Sequence, residues 1–134
     1  MERLAAQELI EAEMRKHGLG DWRFRWANTY RRIGCCRWWL KTIEVSLPFA
    51  LVADPIEVLD TVLHEIAHAL TKNAAAVAGT LGLVQPHGAE WKAMARKVGA
   101  RPYACAAGWY ALRPIPRRRL PDPRQGWFLF MEGK

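Results

Sequence analysis

Residues 54–72, DPIEVLDTVLHEIAHALTK, decide the fold. Asp54 can cap a helix and Pro55 suits the first helical position, so a helix should begin here and continue to about Lys72. On a helical wheel the stretch divides into an apolar face and an opposite polar face. The apolar face consists of Ile56, Leu59, Val62, Leu63, Ile66, Ala67 and Leu70, and the polar face of Glu57, Thr61, His64, Glu65 and His68. We therefore expect one face to pack on a core and the other to carry a functional motif.

The polar face contains the pattern HEIAH at residues 64–68. The side chains of His64 and His68 lie ~40° apart on the wheel, one turn above each other, and can bind one metal ion. Glu65 lies ~100° from His64, near enough to reach a water on that metal without binding the metal itself. Zinc lowers the pKa of such a water toward ~7, and a neighbouring carboxylate can accept its proton. The pattern predicts a zinc hydrolase with Glu65 as acid/base, although a bare HExxH also occurs in ordinary helices.

A catalytic zinc usually takes three protein ligands and keeps its fourth position for water. The chain has four histidines, so only His17 and His87 are left to supply a third ligand. His17 falls at the end of the first predicted helix, where we expect it to be exposed. His87 precedes Gly88, which permits close backbone approach, and stands at the entrance of another predicted helix. We therefore expect His87 to be the third ligand.

The remaining pattern predicts an α+β domain. Three short strands close together in the sequence favour an antiparallel meander, so we expect a small antiparallel sheet packed on the motif helix. The predicted helices cover residues 3–17 and 87–98, the strands residues 22–26, 31–39 and 42–46, and a loop residues 73–86.

Composition narrows the class of protein. The chain has 134 residues, 51% of them hydrophobic, which suits one globular domain, and we expect a monomer. No apolar run approaches the ~20 residues that span a bilayer, and no apolar signal-peptide region is visible near residue 1, so we expect a cytoplasmic protein without a membrane partner. The cysteine count is three, an odd number without a CxxC pair, which favours unbridged thiols.

The net charge of +7 favours polyanionic partners, with nucleic acid first, although many basic small proteins bind none. Two regions concentrate this charge. The first surrounds Trp38 and Trp39, whose rings could stack on unpaired bases, although both could instead be core tryptophans on a solvated basic surface. The basic residues of the first region are Arg31, Arg32, Arg37 and Lys41, and those of the second are Arg113, Arg117, Arg118, Arg119 and Arg124.

Residues 61–70, TVLHEIAHAL, followed by residues 87–91, HGAEW, resemble the SprT-like metalloproteases, which include bacterial SprT proteins and the eukaryotic Spartan proteases. Residues 22–26, 31–34 and 43–46 resemble the strands that precede the active helix in that family. The resemblance covers roughly residues 4–105. It implies a minigluzincin-like zincin fold, zinc held by His64, His68 and His87, and Glu65 as the catalytic acid/base.

The resemblance also implies a protein or peptide substrate whose strand pairs with an exposed sheet edge near the zinc. Residues 43–46 are our candidate for that edge. Spartan-type members cleave proteins crosslinked to DNA, and in such a role the positive charge would contact the DNA. Many members carry a C-terminal zinc ribbon with two CxxC pairs, whereas this chain has only Cys105 there. We therefore divide the chain into a SprT-like domain, residues 1–105, and a basic Pro/Arg-rich tail, residues 106–134, which could pack on it.

A second interpretation is a non-catalytic nucleic-acid-binding or interaction module with a structural zinc. A structural site needs a fourth protein ligand, and Cys35, Cys36 and Cys105 are the candidates. A different zinc hydrolase is a third interpretation, disfavoured because HExxH with a glutamate base is typical of amide hydrolysis.

Overall fold

The longest helix organises the molecule. The computed structural model describes residues 1–102 and confirms the predicted α+β class. The structure also contains two short 3-10 turns, at Trp38–Leu40 and Leu81–Leu83. The elements in chain order are α1 (Arg3–Lys16), β1 (Arg23–Ala27), β2 (Gly34–Arg37), β3 (Thr42–Ser46), α2 (Leu47–Val52), α3 (Pro55–Ala78) and α4 (Ala89–Val98).

Helix α3 begins where its caps predict. The backbone N–H of Asp54 donates to the Glu57 carboxylate at 3.1 Å, and Pro55 occupies the first turn. The helix ends at Gly79, whose φ of 76° is left-handed. It therefore continues beyond the predicted end at Lys72. Residues 74–76 are all alanine, the best helix former, so the expectation of a loop from residue 73 was wrong.

The core lies between α3, α1 and the inner face of the sheet. Side chains from each of these elements are fully buried, and α4 closes the core from the other side of α3 through Trp91 and Ala95. Burial of this apolar surface supplies the main driving force for folding. The fully buried residues include Ala6, Ile10, Ile43, Val45, Phe49, Val62, Ile66 and Trp91.

The sheet is mixed, which corrects the predicted antiparallel meander. Its strand order is β1-β3-β2. Strands β2 and β3 are antiparallel as expected, whereas β1 pairs with β3 in parallel, with Arg25 opposite Glu44. Residues 28–33 contain no Gly or Pro that would form a tight hairpin. They instead form a longer connection between β1 and β2, and β3 later pairs between these two strands.

Strand β3 is therefore the central strand, and the expectation that residues 43–46 form an exposed edge was wrong. All five residues of β3 are buried. The edges of the sheet are β1 and β2. The second strand is also shorter than predicted, because the chain turns at Trp38–Leu40 and Lys41 adopts a left-handed φ of 50° before β3 begins.

Helix α2 has no counterpart in the sequence predictions. It follows β3 directly, and the Ser46 hydroxyl caps it by accepting from the backbone N–H of Phe49 at 3.2 Å. Its apolar run, residues 47–53, lacks a helical period, so the pattern carried no helical signal. None of the helices in the described part of the chain is long and apolar enough to cross a membrane.

Three arginines surround Glu44 on the outward face of the sheet. The guanidinium of Arg37 donates to Oε2 of Glu44 at 2.9 Å. Arg25 and Arg32 approach the same carboxylate at 3.7 and 3.8 Å. The Glu44 side chain is only 6% exposed. Its negative charge offsets part of the repulsion among the three arginines.

We expect Glu44→Gln to lower the free energy of unfolding by about 1–2 kcal/mol, because three guanidinium groups would then lack their counter-charge. Urea unfolding followed by tryptophan fluorescence measures the change. Asp21→Asn is the control, since it breaks the exposed Lys41–Asp21 pair and should leave the midpoint unchanged. An unchanged midpoint for Glu44→Gln would show that the arginine cluster does not need the carboxylate.

Candidate metal centre

Three histidines converge at the middle of α3. Nε2 of His87 lies 3.1 Å from Nε2 of His64 and 3.0 Å from Nε2 of His68. One ligand atom from each histidine falls within 4.8 Å of the others, so the three could hold one metal ion. His64 and His68 are buried on successive turns of α3, as their spacing predicts.

The approach of His87 depends on an unusual backbone. His87 has a left-handed φ of 60°, which is rare outside glycine and stores strain. The next residue, Gly88, comes so close to the preceding turn that an added Cβ would lie 3.0 Å from Cβ of Gln85. A side chain at position 88 would therefore crowd Gln85 in the turn that precedes α4. Helix α4 then starts at Ala89.

Trp91 contacts all three histidines. Its ring centroid lies 4.7 Å from that of His64, 5.3 Å from that of His68 and 4.8 Å from that of His87. The indole N–H also donates to the backbone carbonyl of His64 at 3.3 Å. Trp91 is fully buried, and its ring stacks on that of His68 and meets that of His87 edge-on. The sequence analysis did not predict this contact between Trp91 and the histidines.

Glu65 lies between α3 and the edge strand β2. Its side chain is fully buried. A Cβ added to Gly34 would lie 3.0 Å from Oε2 of Glu65 and 3.0 Å from Cγ2 of Thr61. Glycine at position 34 therefore lets the strand pass against the carboxylate. The only sequence signal for this contact is a glycine inside a strand, which often marks close backbone approach.

The other candidate ligands do not join this group. Within residues 1–102 the three histidines form the only cluster of potential metal ligands. Cys36 lines a small cavity together with His68, yet its sulfur is not part of the cluster, and Cys35 lies on the opposite face of β2. His17 ends α1, with Nε2 3.5 Å from Oε1 of Glu13. Cys105, the tail arginines and the proposed boundary at residue 105 lie outside the described residues.

The donor set suits zinc. Imidazole nitrogens are common zinc ligands, and three of them leave a coordination position open, as in catalytic rather than structural sites. The described residues supply no thiolate as a fourth ligand. Within residues 1–102 the candidate centre therefore consists of three histidines.

Comparison with known proteins identifies one family. The model of the SprT-like family matches residues 5–110, most of the chain. No curated protein and no solved structure matches the chain significantly.

We expect Trp91→Leu to weaken zinc binding by about tenfold or more, because residues that orient metal ligands typically contribute this much. Competition with a chromophoric chelator measures the affinity. Trp91→Phe keeps an aromatic ring but loses the hydrogen bond to the His64 carbonyl, and should fall between Leu and wild type. A folded Trp91→Leu protein with wild-type zinc affinity would contradict a supporting role for the indole.

Proposed function

The chain belongs to the SprT-like family, and from this membership and the three-histidine centre we propose that it is a zinc-dependent metallopeptidase. The observation that carries the proposal is that His64, His68 and His87 converge at α3, the helix that also carries a buried glutamate, Glu65. A structural zinc module would not need that carboxylate, whereas hydrolysis of a peptide bond does.

His64, His68 and His87 would hold the zinc through their Nε2 atoms. When bound, zinc supplies a Lewis acid that activates water at neutral pH and polarises a carbonyl group. Trp91 fixes the orientation of all three imidazoles. This arrangement limits the reorganisation that the ligands need on metal binding.

Glu65 would act as the catalytic acid/base. It follows His64 directly on α3 and is not part of the ligand group. In this role the carboxylate accepts the proton of the attacking water and later transfers it to the leaving amine nitrogen. Gly34 keeps the carboxylate in position from the side of β2.

The outer edge of β2 would receive the substrate. The backbone N–H of Ser46 donates to the carbonyl of Ile33 at 2.9 Å. Because hydrogen-bonded and non-hydrogen-bonded pairs alternate in an antiparallel ladder, the backbone groups of Gly34 point away from β3. An extended peptide that pairs with this edge would pass Gly34 and Glu65. We therefore move the proposed substrate edge from β3 to β2.

The substrate class is a protein or peptide in extended conformation. Because Spartan-type members of the family cleave proteins crosslinked to DNA, we extend the proposal to proteins that are bound or crosslinked to DNA.

We expect Glu65→Gln to abolish peptide cleavage while zinc stays bound, because the amide cannot accept the proton but leaves the histidines unchanged. Cleavage of an unfolded protein substrate and the zinc content of the same sample are the measurements. Chelation of zinc should stop the wild-type reaction and added zinc should restore it. Wild-type cleavage by Glu65→Gln would overturn the mechanism.

We expect Gly34→Ala to reduce cleavage by about tenfold or more at nearly unchanged zinc affinity, since the new methyl group would displace Glu65 and not the histidines. Gly82→Ala is the matched control, because an added Cβ there meets no atom within 4 Å. Equal activities of the two variants would show that the contact between Gly34 and Glu65 does not position the carboxylate.

A further inference from the structure

The edge strand β2 runs alongside α3. Gly34 lies against Glu65, since a Cβ added to the glycine would be 3.0 Å from Oε2 of the carboxylate. Cys36 lies on the same face of the strand, because side chains alternate, and it lines a cavity together with His68. The chain order along β2 thus matches the order along α3, and both elements run in the same direction past the metal centre.

This alignment continues beyond the histidines. The indole N–H of Trp38, which follows β2, donates to Oδ1 of Asn73 in the second half of α3 at 2.8 Å. A peptide that pairs with the outer edge of β2 would consequently pass Glu65 first, His68 next and the second half of α3 last. The surface of that second half is therefore where the substrate residues on one side of the scissile bond would lie.

Two cavities lie along this path. The first, of about 40 Å³, is lined by Cys36, His68 and Trp91 among others. The second, of about 350 Å³, lies between the end of α3, the second 3-10 turn and α4. Thr71 and Val84 line both cavities, so the two adjoin each other. We call the second cavity the alanine groove, whose apolar lining consists of Ala74, Ala75, Ala78, Leu83, Val84 and Met94.

The alanine groove has the size of a site for a side chain. Leu83 in its wall is 75% exposed, and an open concave apolar surface is typical of a site for an apolar group. Within residues 1–102, nine residues line the groove, against the roughly 20–30 that each side of a stable protein interface contributes. A second copy of the chain therefore fits the groove less well than a side chain of an extended peptide does.

We propose that the alanine groove is a specificity site that receives a large apolar side chain of the substrate. The inference rests on the proposed peptidase function, because the continuity of the groove with the metal centre and with β2 is what assigns it to a substrate. Thr71 and Ala78 lie about 5 and 15 Å beyond His68 along the helix axis, at 1.5 Å per residue. An extended peptide advances ~3.3 Å per residue, so this side chain would come roughly two to four residues from the scissile bond.

The lining predicts which side chains the groove accepts. Leu83, Val84 and Met94 offer apolar contacts, and the small alanines leave room for a leucine, methionine or phenylalanine side chain. Glu90 also lines the groove, so an acidic side chain of the substrate would meet a like charge there. We therefore expect large apolar residues at this substrate position and not aspartate or glutamate.

Peptide binding to the full chain with Glu65→Gln tests the groove without cleavage. The probe is a fluorescently labelled extended peptide of about ten residues, long enough to reach from the metal centre to the groove, with one leucine among serines and threonines. We expect it to bind about tenfold more tightly than a peptide with serine in place of the leucine, the effect of burying one leucine side chain. With Ala74→Leu added, the new side chain fills the groove and this preference should disappear.

Ala76→Leu is the matched control, because it makes the same change at an exposed position of α3 outside the groove lining and should keep the preference. Alanine and leucine are both good helix formers, so thermal unfolding of both variants should match that of the parent protein. The proposal is wrong if the two peptides bind equally or if Ala74→Leu keeps the preference.

Other occupants of the groove would give different results. Concentration-dependent dimerisation that Ala74→Leu abolishes and Ala76→Leu retains would assign the groove to a second copy of the chain and overturn the proposal. A leucine preference that appears only after Trp127→Ser and Phe128→Ser would assign it to the apolar segment at residues 127–131 and overturn it as well.

Cleavage sites provide the second readout. Mass spectrometry of the fragments that the wild-type protein makes from an unfolded protein should show large apolar residues enriched on one side of the cut, and Ala74→Leu should remove this enrichment. Cleavage without any such enrichment would reject the groove and keep the peptidase. A leucine preference in binding without any cleavage by the wild type would reject the peptidase and keep the groove as a peptide site, so the two failures are distinguishable.

Discussion

The structure depends on burying polar side chains in the middle of its longest helix. His64 is 2% exposed, Glu65 is fully buried and His68 is 5% exposed, all within two turns of α3. Burying such groups is unfavourable unless each has a suitable partner. Packing on the opposite face of α3, against α1 and the sheet, provides the stabilisation that offsets this cost. The centre therefore forms only when the whole domain has folded around the helix.

The parts of this centre that are local in sequence could be predicted. The two histidines on α3 share a face because of helical periodicity, and His87 followed from the small number of histidines in the chain. The contacts of Trp91 and Gly34 could not be predicted, because they arise where α4 and β2 pack on α3. Such contacts depend on the tertiary arrangement, for which a single sequence has no periodic signal.

The sheet shows the same limit. Residues of strand character were recognised, and β3 was predicted with the bounds that it has in the structure. Which strands become neighbours is set by long-range pairing, and here β3 enters between the two earlier strands. Proximity in sequence favoured a meander and consequently placed the substrate edge on the wrong strand. The end of α3 was predicted too early for a different reason, since the alanines at residues 74–76 were assigned to a loop despite their high helix propensity.

The tight connection between β2 and β3 has an evolutionary consequence. Only a 3-10 turn and the left-handed Lys41 separate the two strands, so the length of this connection determines their register. A slip by one residue would exchange the two faces of β2, burying Arg37 and turning Gly34 outward. Insertions and deletions should therefore be tolerated better in residues 28–32 than in residues 33–42, since Ile33 is buried and its carbonyl pairs with Ser46. Length variation among related sequences is expected to follow that boundary.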